Sequence, residues 1–206
     1  MNALSIRVDL RLIADMVEPG CRMLDVGCGE GGLLAYLEQE KQVDGRGMEL
    51  SMAGVNECVR NGLAVIQGDA DIDLKDYPTD GFDWVVLSQT LQATRRPREV
   101  LDNLVRISRH AVVSFPNFAH WRVRTQILLR GRMPVTSTLP YSWYDTPNIH
   151  HCTIRDFIAT CREEGYEIEQ ATALNGDGTP MQIAATSTLA SIFAEQALFV
   201  LSREGD

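Results

Sequence analysis

Residues 23–34 read MLDVGCGEGGLL. Four residues suited to a strand run into a glycine-rich turn, and the turn runs into an apolar helix start. Gly27, Gly29 and Gly32 fit the spacing G-x-G-x-x-G, in which glycines let a backbone turn tightly beneath a nucleotide. Gly29 and Gly31 fit a second G-x-G frame, so the glycines alone do not identify the ligand. Asp25 helps to. A carboxylate two residues before the turn would repel a pyrophosphate and attract an ammonium group. S-adenosylmethionine (SAM) carries such an ammonium, and its carboxylate suits free N–H groups of the turn, as helix N-termini suit anions.

Outward from the turn the chain repeats one theme. Strands are predicted at 23–26, 45–50, 64–67, 82–88 and 110–115, with helices at 32–39, 52–61 and 97–108 between them and one earlier helix face at Leu10, Ile13, Ala14 and Val17. Residues 68–78 are predicted as loop. Strands and helices alternating at this spacing imply parallel βαβ units, with helices on both faces of the sheet. Pro97 suits a first helical turn, where its missing N–H costs nothing. Residues 116–150 break the rhythm with four prolines, two tryptophans and two tyrosines, and read as an insert after the fifth strand. A helix at 153–165 follows, with Thr153 and Asp156 spaced as a capping box, and then strands at 166–174 and 196–202. Residues 175–187, NGDGTPMQIAATS, read as a mobile loop.

The predicted strand ends carry a series of polar residues. Glu49 stands twenty-two residues after Gly27, a spacing that suits an acid accepting ribose hydroxyls. Leu50 can pack on an adenine face. Asp69 can receive the adenine amino group, with Ala70 lining the ring. Ser88 and Gln89 follow the fourth strand, at the edge where open α/β sheets bind ligands. Asp25, Gly27, Cys28, Gly29, Glu49, Leu50, Asp69, Ala70 and Ser88 are therefore the expected site for SAM or S-adenosylhomocysteine.

Composition narrows the classes. The chain has 206 residues, 45% of them apolar, and a net charge of −9. That length suits one domain, here residues 1–206. The acidic balance argues against nucleic acid as a partner, because affinity for phosphates comes from Lys and Arg. MNALSIRVDLRL, at the start, lacks the apolar core of a secretion signal, and no stretch reaches the roughly 18–20 apolar residues of a membrane span. The five cysteines are scattered, with no C-x-x-C pair, which fits reduced thiols in the cytoplasm and no zinc site. His150, His151 and Cys152 are adjacent in sequence and would not converge on one metal ion.

LDVGCGEG, MEL, GDA and FDWVVLSQTLQ resemble the motifs of class I SAM-dependent methyltransferases. More specifically, VIQGD, SQTLQATRRP, VSFPNFAHWRVR, LLRGRMPV and WYDTPNIHHCTIRDF resemble the methionine biosynthesis family MetW, over roughly residues 7–170. The resemblance implies a Rossmann-like α/β fold with a mostly parallel, seven-stranded sheet whose last strand is antiparallel. It also implies a part in methionine synthesis beside the homoserine O-acyltransferase MetX, with SAM, made from the end product of the pathway, as the sensed ligand. Three readings stand: an accessory or regulatory subunit of the acyltransferase, a SAM-dependent small-molecule methyltransferase, or a stand-alone SAM-binding protein. For a methyl acceptor needing a base, the insert offers His120, Tyr141, Tyr144, Asp145, Asn148, His150 and His151. His150 is the candidate, since it matches the histidine of the family string TPNIH. Arg122, Arg124, Arg130 and Arg132 stand in a stretch without acids, His120 to Met133, and form the expected docking surface for MetX.

Overall fold

A computed structural model describes residues 6–203; the first five residues of the MNALSIRVDLRL stretch lie outside the described residues. In chain order the elements are α1 (Val8–Met16), β1 (Arg22–Val26), α2 (Gly32–Lys41), β2 (Asp44–Glu49), α3 (Met52–Arg60), β3 (Val65–Gln67), α4 (Ala70–Asp73), β4 (Phe82–Ser88), α5 (Pro97–Ile107), β5 (Ser108–Pro116), α6 (Trp121–Arg130), α7 (Ile154–Glu164), β6 (Tyr166–Leu174), β7 (Pro180–Ala184), α8 (Thr188–Phe193) and β8 (Gln196–Arg203). The strands form one sheet in the order β3-β2-β1-β4-β5-β8-β6-β7. Pairing is parallel from β3 through β5 and antiparallel where β8 meets β5 and β6 and where β7 meets β6.

Side chains alternate across the sheet with the period of two that a strand imposes. Met23, Trp84, Val86, Val112, Leu198 and Val200 face one core, shared with α1, α2 and Cys58 of α3. Leu24, Val85, Leu87, Val113, Phe115, Phe199 and Leu201 face the other, shared with α5, α7 and α8. Both faces are therefore covered, as the strand–helix alternation requires.

Among the described residues the sheet has eight strands, not the expected seven, and the extra one is β7, inside the stretch read as a mobile loop. Its only large apolar side chains are Met181 and Ile183, which turn toward the core while Pro180, Gln182 and Ala184 stay exposed. Five residues with two half-buried apolar groups give too weak an alternation to stand out, and Pro180 is tolerated because it begins an edge strand. The stretch read as loop at 68–78 holds α4 and one further helical turn, Leu74–Asp76. The helix after the insert starts as expected: Thr153 and Asp156 form a capping box, and Gly165 ends it in the left-handed region.

The insert is stapled at its base by two buried amides. Asn117, 1% exposed, donates from Nδ2 to the carbonyls of Ser191 (3.0 Å) and Ala194 (2.8 Å) and accepts at Oδ1 from the Ala119 N–H (3.0 Å) and the Ile154 N–H (3.4 Å). Gln92 donates from Nε2 to Pro116 O (2.9 Å), and its own backbone carbonyl accepts from the N–H groups of Ile149 and His150. Asn117→Ala is expected to lower stability by about 3 kcal/mol or more, because it strands four buried backbone groups at once. At roughly 2–4 °C per kcal/mol for a chain of this size, calorimetry should record a fall in Tm of about 6–12 °C. A fall under about 2 °C would mean that water replaces the amide without loss.

Candidate functional site

The glycine turn between β1 and α2 has Gly27, Gly29 and Gly31 at φ +75°, +58° and +79°. Two of these positions also lack room. A Cβ on Gly27 would lie 2.6 Å from Thr90 Oγ1, and one on Gly31 would strike Leu63 and come within 2.9 Å of Cys58 Sγ. Only glycine satisfies both the dihedral and the space.

Several N–H groups of the turn have partners in the protein. Gly27 N–H and Cys28 N–H donate to Met48 O at 2.8 and 3.3 Å, and Gly29 N–H donates to Glu49 Oε2 at 2.9 Å. These three are thus already engaged, which leaves a ligand carboxylate the N–H groups later in the turn. What faces the cleft instead is the start of α2, where the first N–H groups of any helix lack an internal partner. Gly32 and Leu33 line the cleft there.

Two cavities meet at Gly27. One, about 340 Å³, is lined by Asp25, Gly27, Cys28, Gly29, Glu30, Gly32, Leu33 and Ser88, with Arg7 and Leu10 contributed by α1 and the residues just before it. The other, about 140 Å³, is lined by Gly27, Met48, Leu50, Asp69, Ala70, Thr90 and Arg95, among others. Asp25 is 4% exposed, and no hydrogen bond reaches its carboxylate among the described residues. Burial first, and Glu49 second, push its pKa up to about 7, while Arg7 draws it back. It is therefore a buried carboxylate that Arg7 influences but that no side chain pairs with among the described residues. Burial likewise raises the Cys28 thiol, with Asp25 adding to the effect, which disfavours the thiolate.

Glu49 lines neither cavity. Its Oε2 accepts from Gly29 N–H and its Oε1 from Ser51 N–H at 2.8 Å, so the carboxylate braces the turn and each oxygen keeps a lone pair for a further donor. Asp69 serves as the N-cap of α4, with Oδ1 accepting from Asp71 N–H at 2.9 Å, and its other oxygen has no partner among the described residues. The Asp71 carboxylate accepts from the N–H groups of Arg95 and Arg96, which fastens that segment across the smaller cavity. Leu50 is left 64% exposed at the end of β2, an apolar face without cover. Ser88 Oγ lies 3.1 Å from Ser114 Oγ and 3.4 Å from Arg7 Nη2.

Sequence reasoning missed Arg7 and Thr90. Arg7 makes a two-pronged pair with Asp9 (Nε–Oδ1 3.1 Å, Nη2–Oδ2 2.9 Å), which sets its guanidinium at the mouth of the cleft. The helix face of α1 was legible, but nothing in its apolar periodicity says which polar residue before it turns inward. Gln89 holds a left-handed backbone (φ +56°) at the end of β4, a costly conformation for a residue other than glycine and one that clusters at working sites.

His150 stands apart. Its Nε2 lies 3.2 Å from Arg95 O, and it lines a separate cavity of about 150 Å³ with Gln92, Cys152 and Phe157. The Gln92 carbonyl holds the chain at 149–150, and so His150 shares no cavity lining with Asp25 or Ser88.

The insert carries the largest set of exposed apolar side chains. Leu128, Leu129, Trp143 and Tyr144 are 82%, 80%, 73% and 69% exposed, and Trp121, Ile127, Met133 and Ile149 are also uncovered. The four arginines are not alike, contrary to their reading as one unpaired group. Arg122 lies over the Trp121 ring and 3.7 Å from Glu195, and Arg124 Nε donates to Ala119 O at 2.6 Å. Arg130 and Arg132 are exposed and have no partner among the described residues. No helix among the described residues is long and apolar enough to cross a membrane.

Together the cleft suits an elongated ligand: a cationic group against Asp25, an anionic group at the start of α2, and a flat ring between Leu50 and Ala70. Comparison with known proteins bears on what that ligand is. The family model described as "Methionine biosynthesis protein MetW" matches residues 7–201. The bifunctional methionine biosynthesis protein MetXA/MetW of Rhodopirellula baltica is 29% identical over 204 residues, covering 91% of this chain and 33% of that protein. A fatty-acid O-methyltransferase of Mycolicibacterium smegmatis is 36% identical over 91 residues, covering 42% of this chain and 32% of that protein. The chain thus spans about a third of the length of these curated relatives. Among solved structures, an S-adenosylmethionine-dependent methyltransferase from Mesorhizobium loti superposes with a TM-score of 0.69 over 97% of this chain and all of that one, at 17% identity, a likeness of fold.

Proposed function

The chain belongs to the MetW family of methionine biosynthesis proteins, and on that premise we propose that it binds SAM or S-adenosylhomocysteine in the acid-floored cleft and acts as an accessory subunit of the homoserine O-acyltransferase MetX. The observation that carries the ligand half is Asp25, a buried carboxylate without a hydrogen bond among the described residues, beside the glycine turn. The ammonium of SAM answers it, the ligand carboxylate takes the first amides of α2, and the adenine lies in the smaller cavity with its amino group toward Asp69. The ribose lies over Glu49, Gly27 and Gly29. In this reading residues 1–206 act as one cytoplasmic domain.

The acyltransferase half is supported by the relative whose name joins MetXA and MetW, and by the exposed insert. Large apolar and aromatic side chains rimmed by Arg130 and Arg132 have the composition of an interface centre. A small-molecule methyltransferase is the second reading, favoured by a further cavity that borders the cleft at Arg7. Co-purification with MetX, with acylation of homoserine followed beside it, separates the two: an accessory subunit binds and stimulates the acyltransferase, whereas a stand-alone methyltransferase does neither.

The ligand assignment has a pH signature. With its pKa raised from 3.8 to about 7, Asp25 keeps its proton in the native state where the unfolded chain has released it. Its contribution to stability is present below about pH 4 and lost as pH rises through about 7. An ammonium ligand favours the ionised form. SAM affinity is therefore expected to climb up to about tenfold per pH unit between about pH 5 and 7, level off, and decline above about pH 8 as the ligand amine loses its proton. At about 100 times Kd the ligand adds about 2.7 kcal/mol of stability, a rise of roughly 5–10 °C in Tm, and NAD gives none. Calorimetric titration at several pH values checks this. A flat profile from about pH 5 to 7, or a larger shift with NAD, would take the ammonium away from Asp25.

A further inference from the structure

A cavity of about 390 Å³ borders the acid-floored cleft at Arg7 and is otherwise walled by the insert, the turn at 176–178, and the ends of β5 and β8. Arg7 uses Nε and Nη2 on Asp9 and Ser88, which leaves Nη1. The Asn148 side-chain amide and the Tyr141 hydroxyl, both on its wall, have no partner among the described residues. At the mouth stands Asp177, its carboxylate accepting from the Thr179 N–H (2.9 Å) and Oγ1 (2.7 Å), two bonds that favour the ionised form. Tyr141 also lines a second, more apolar cavity of about 260 Å³ inside the insert, bordered by Phe118, Leu139 and Trp143.

The charges decide the class of ligand. Arg7 and Asp9 cancel, and Asp177 leaves the polar cavity with one excess negative charge. A plain carboxylate meets that excess, and a plain amine leaves the free nitrogen of Arg7 and the Asn148 amide without an acceptor. A zwitterion answers both. Among the described residues the lining holds no His, Cys or Lys, and its two carboxylates are engaged by Arg7 and Thr179, so the cavity suits binding more than proton transfer. The polar cavity alone reaches the usual range for small-molecule sites, about 300–1,000 Å³.

We propose that the two cavities together bind a free α-amino acid with an apolar side chain. Its carboxylate lies on Arg7 and Asn148, its ammonium points to Asp177, and its side chain passes Tyr141 into the apolar pocket. This site is distinct from the proposed SAM cleft and touches it only at Arg7. Residues 133–148 wall both cavities and also carry the exposed Trp143 and Tyr144, so an occupant would order the face on which a partner docks.

The test is calorimetric, on the full chain. S-adenosylhomocysteine is titrated first, and the saturated protein then receives L-norleucine, so that binding through the donor cleft is already blocked. Hexanoate lacks the ammonium, pentylamine the carboxylate and glycine the side chain. L-norleucine should bind saturably, and each of the three should bind at least about tenfold more weakly, the loss expected for one charged hydrogen bond or a comparable apolar burial. Asn148→Ala and Tyr141→Ala should each weaken L-norleucine by about tenfold with S-adenosylhomocysteine affinity unchanged. Absence of L-norleucine binding overturns the proposal. So does hexanoate binding equally well, or L-norleucine binding unchanged in both variants. If S-adenosylhomocysteine gives no heat, the SAM reading fails on its own, and the L-norleucine titration is read without it.

Discussion

The triple variant Leu128→Ala/Leu129→Ala/Tyr144→Ala is expected to lose co-elution with the acyltransferase while keeping its fold and its SAM affinity. The three side chains are 82%, 80% and 69% exposed, so truncating them removes little from either core. None of them lines the acid-floored cleft. An aromatic or apolar anchor at the centre of an interface is worth about 2–4 kcal/mol, so losing even one weakens the complex roughly 30- to 700-fold. Size-exclusion chromatography with MetX and an assay of homoserine acylation would report it. Charge reversal at Arg130 and Arg132 should act more mildly, through association rate and salt dependence, as rim charges do. Arg122 and Arg124 make poorer probes, because reversing them would also break the contacts to Glu195 and Ala119 that hold α6 in place. If the triple variant still co-elutes, docking lies off this insert. If the unaltered protein neither binds nor stimulates MetX, the accessory reading fails.

Glu49→Ala is expected to weaken SAM at least tenfold and up to about a hundredfold. The ribose would lose an anionic acceptor, worth about 1.5–3 kcal/mol. The glycine turn would also lose its brace, since the same carboxylate holds the N–H groups of Gly29 and Ser51. Glu49→Gln separates the two effects: its amide can still accept one of these bonds, but its NH2 end faces the other N–H. Its affinity should therefore fall between the two. Calorimetry with S-adenosylhomocysteine measures both variants, and circular dichroism checks the fold. Unchanged affinity in Glu49→Ala would mean that the ribose is held elsewhere.

The parts of this molecule legible in the sequence are those that local patterns encode. Short apolar runs such as FDWVVLS, rich in β-branched and aromatic residues and bounded by turn residues, read as buried strands. The Thr153–Asp156 box marked a helix start to within a residue. Strand ends lined up Asp25, Leu50, Asp69 and Ser88 because a parallel sheet puts successive carboxyl ends on one edge. What stayed hidden depends on three-dimensional neighbours. That the Glu49 oxygens are already held by the N–H groups of Gly29 and Ser51 depends on the glycine turn lying against the end of β2. That His150 sits behind the 91–93 turn follows from Gln92 holding residues 149 and 150. Strings specific to the family, such as SFPNF and SQTLQ, look functional in sequence, yet their Asn117 and Gln92 work as buried staples of the insert. That Leu128 and Leu129 lie uncovered was not legible either, because sequence does not say that no element lies over them.

The position of β8 has a consequence for how the chain is made. β8 follows all the other described strands in sequence, yet it fills the place between β5 and β6. Until residues 196–203 leave the ribosome, β5 has an open edge, with buried Val113 and Phe115 above a row of unpaired N–H and C=O groups. All of residues 117–195 are synthesised during that interval. The nascent protein thus has a prolonged exposure to mispairing and chaperone capture that a sheet built strictly in sequence order would escape. It also makes the sheet intolerant of premature stops: a message truncated just before β8 would yield an aggregation-prone product, not a shorter working one.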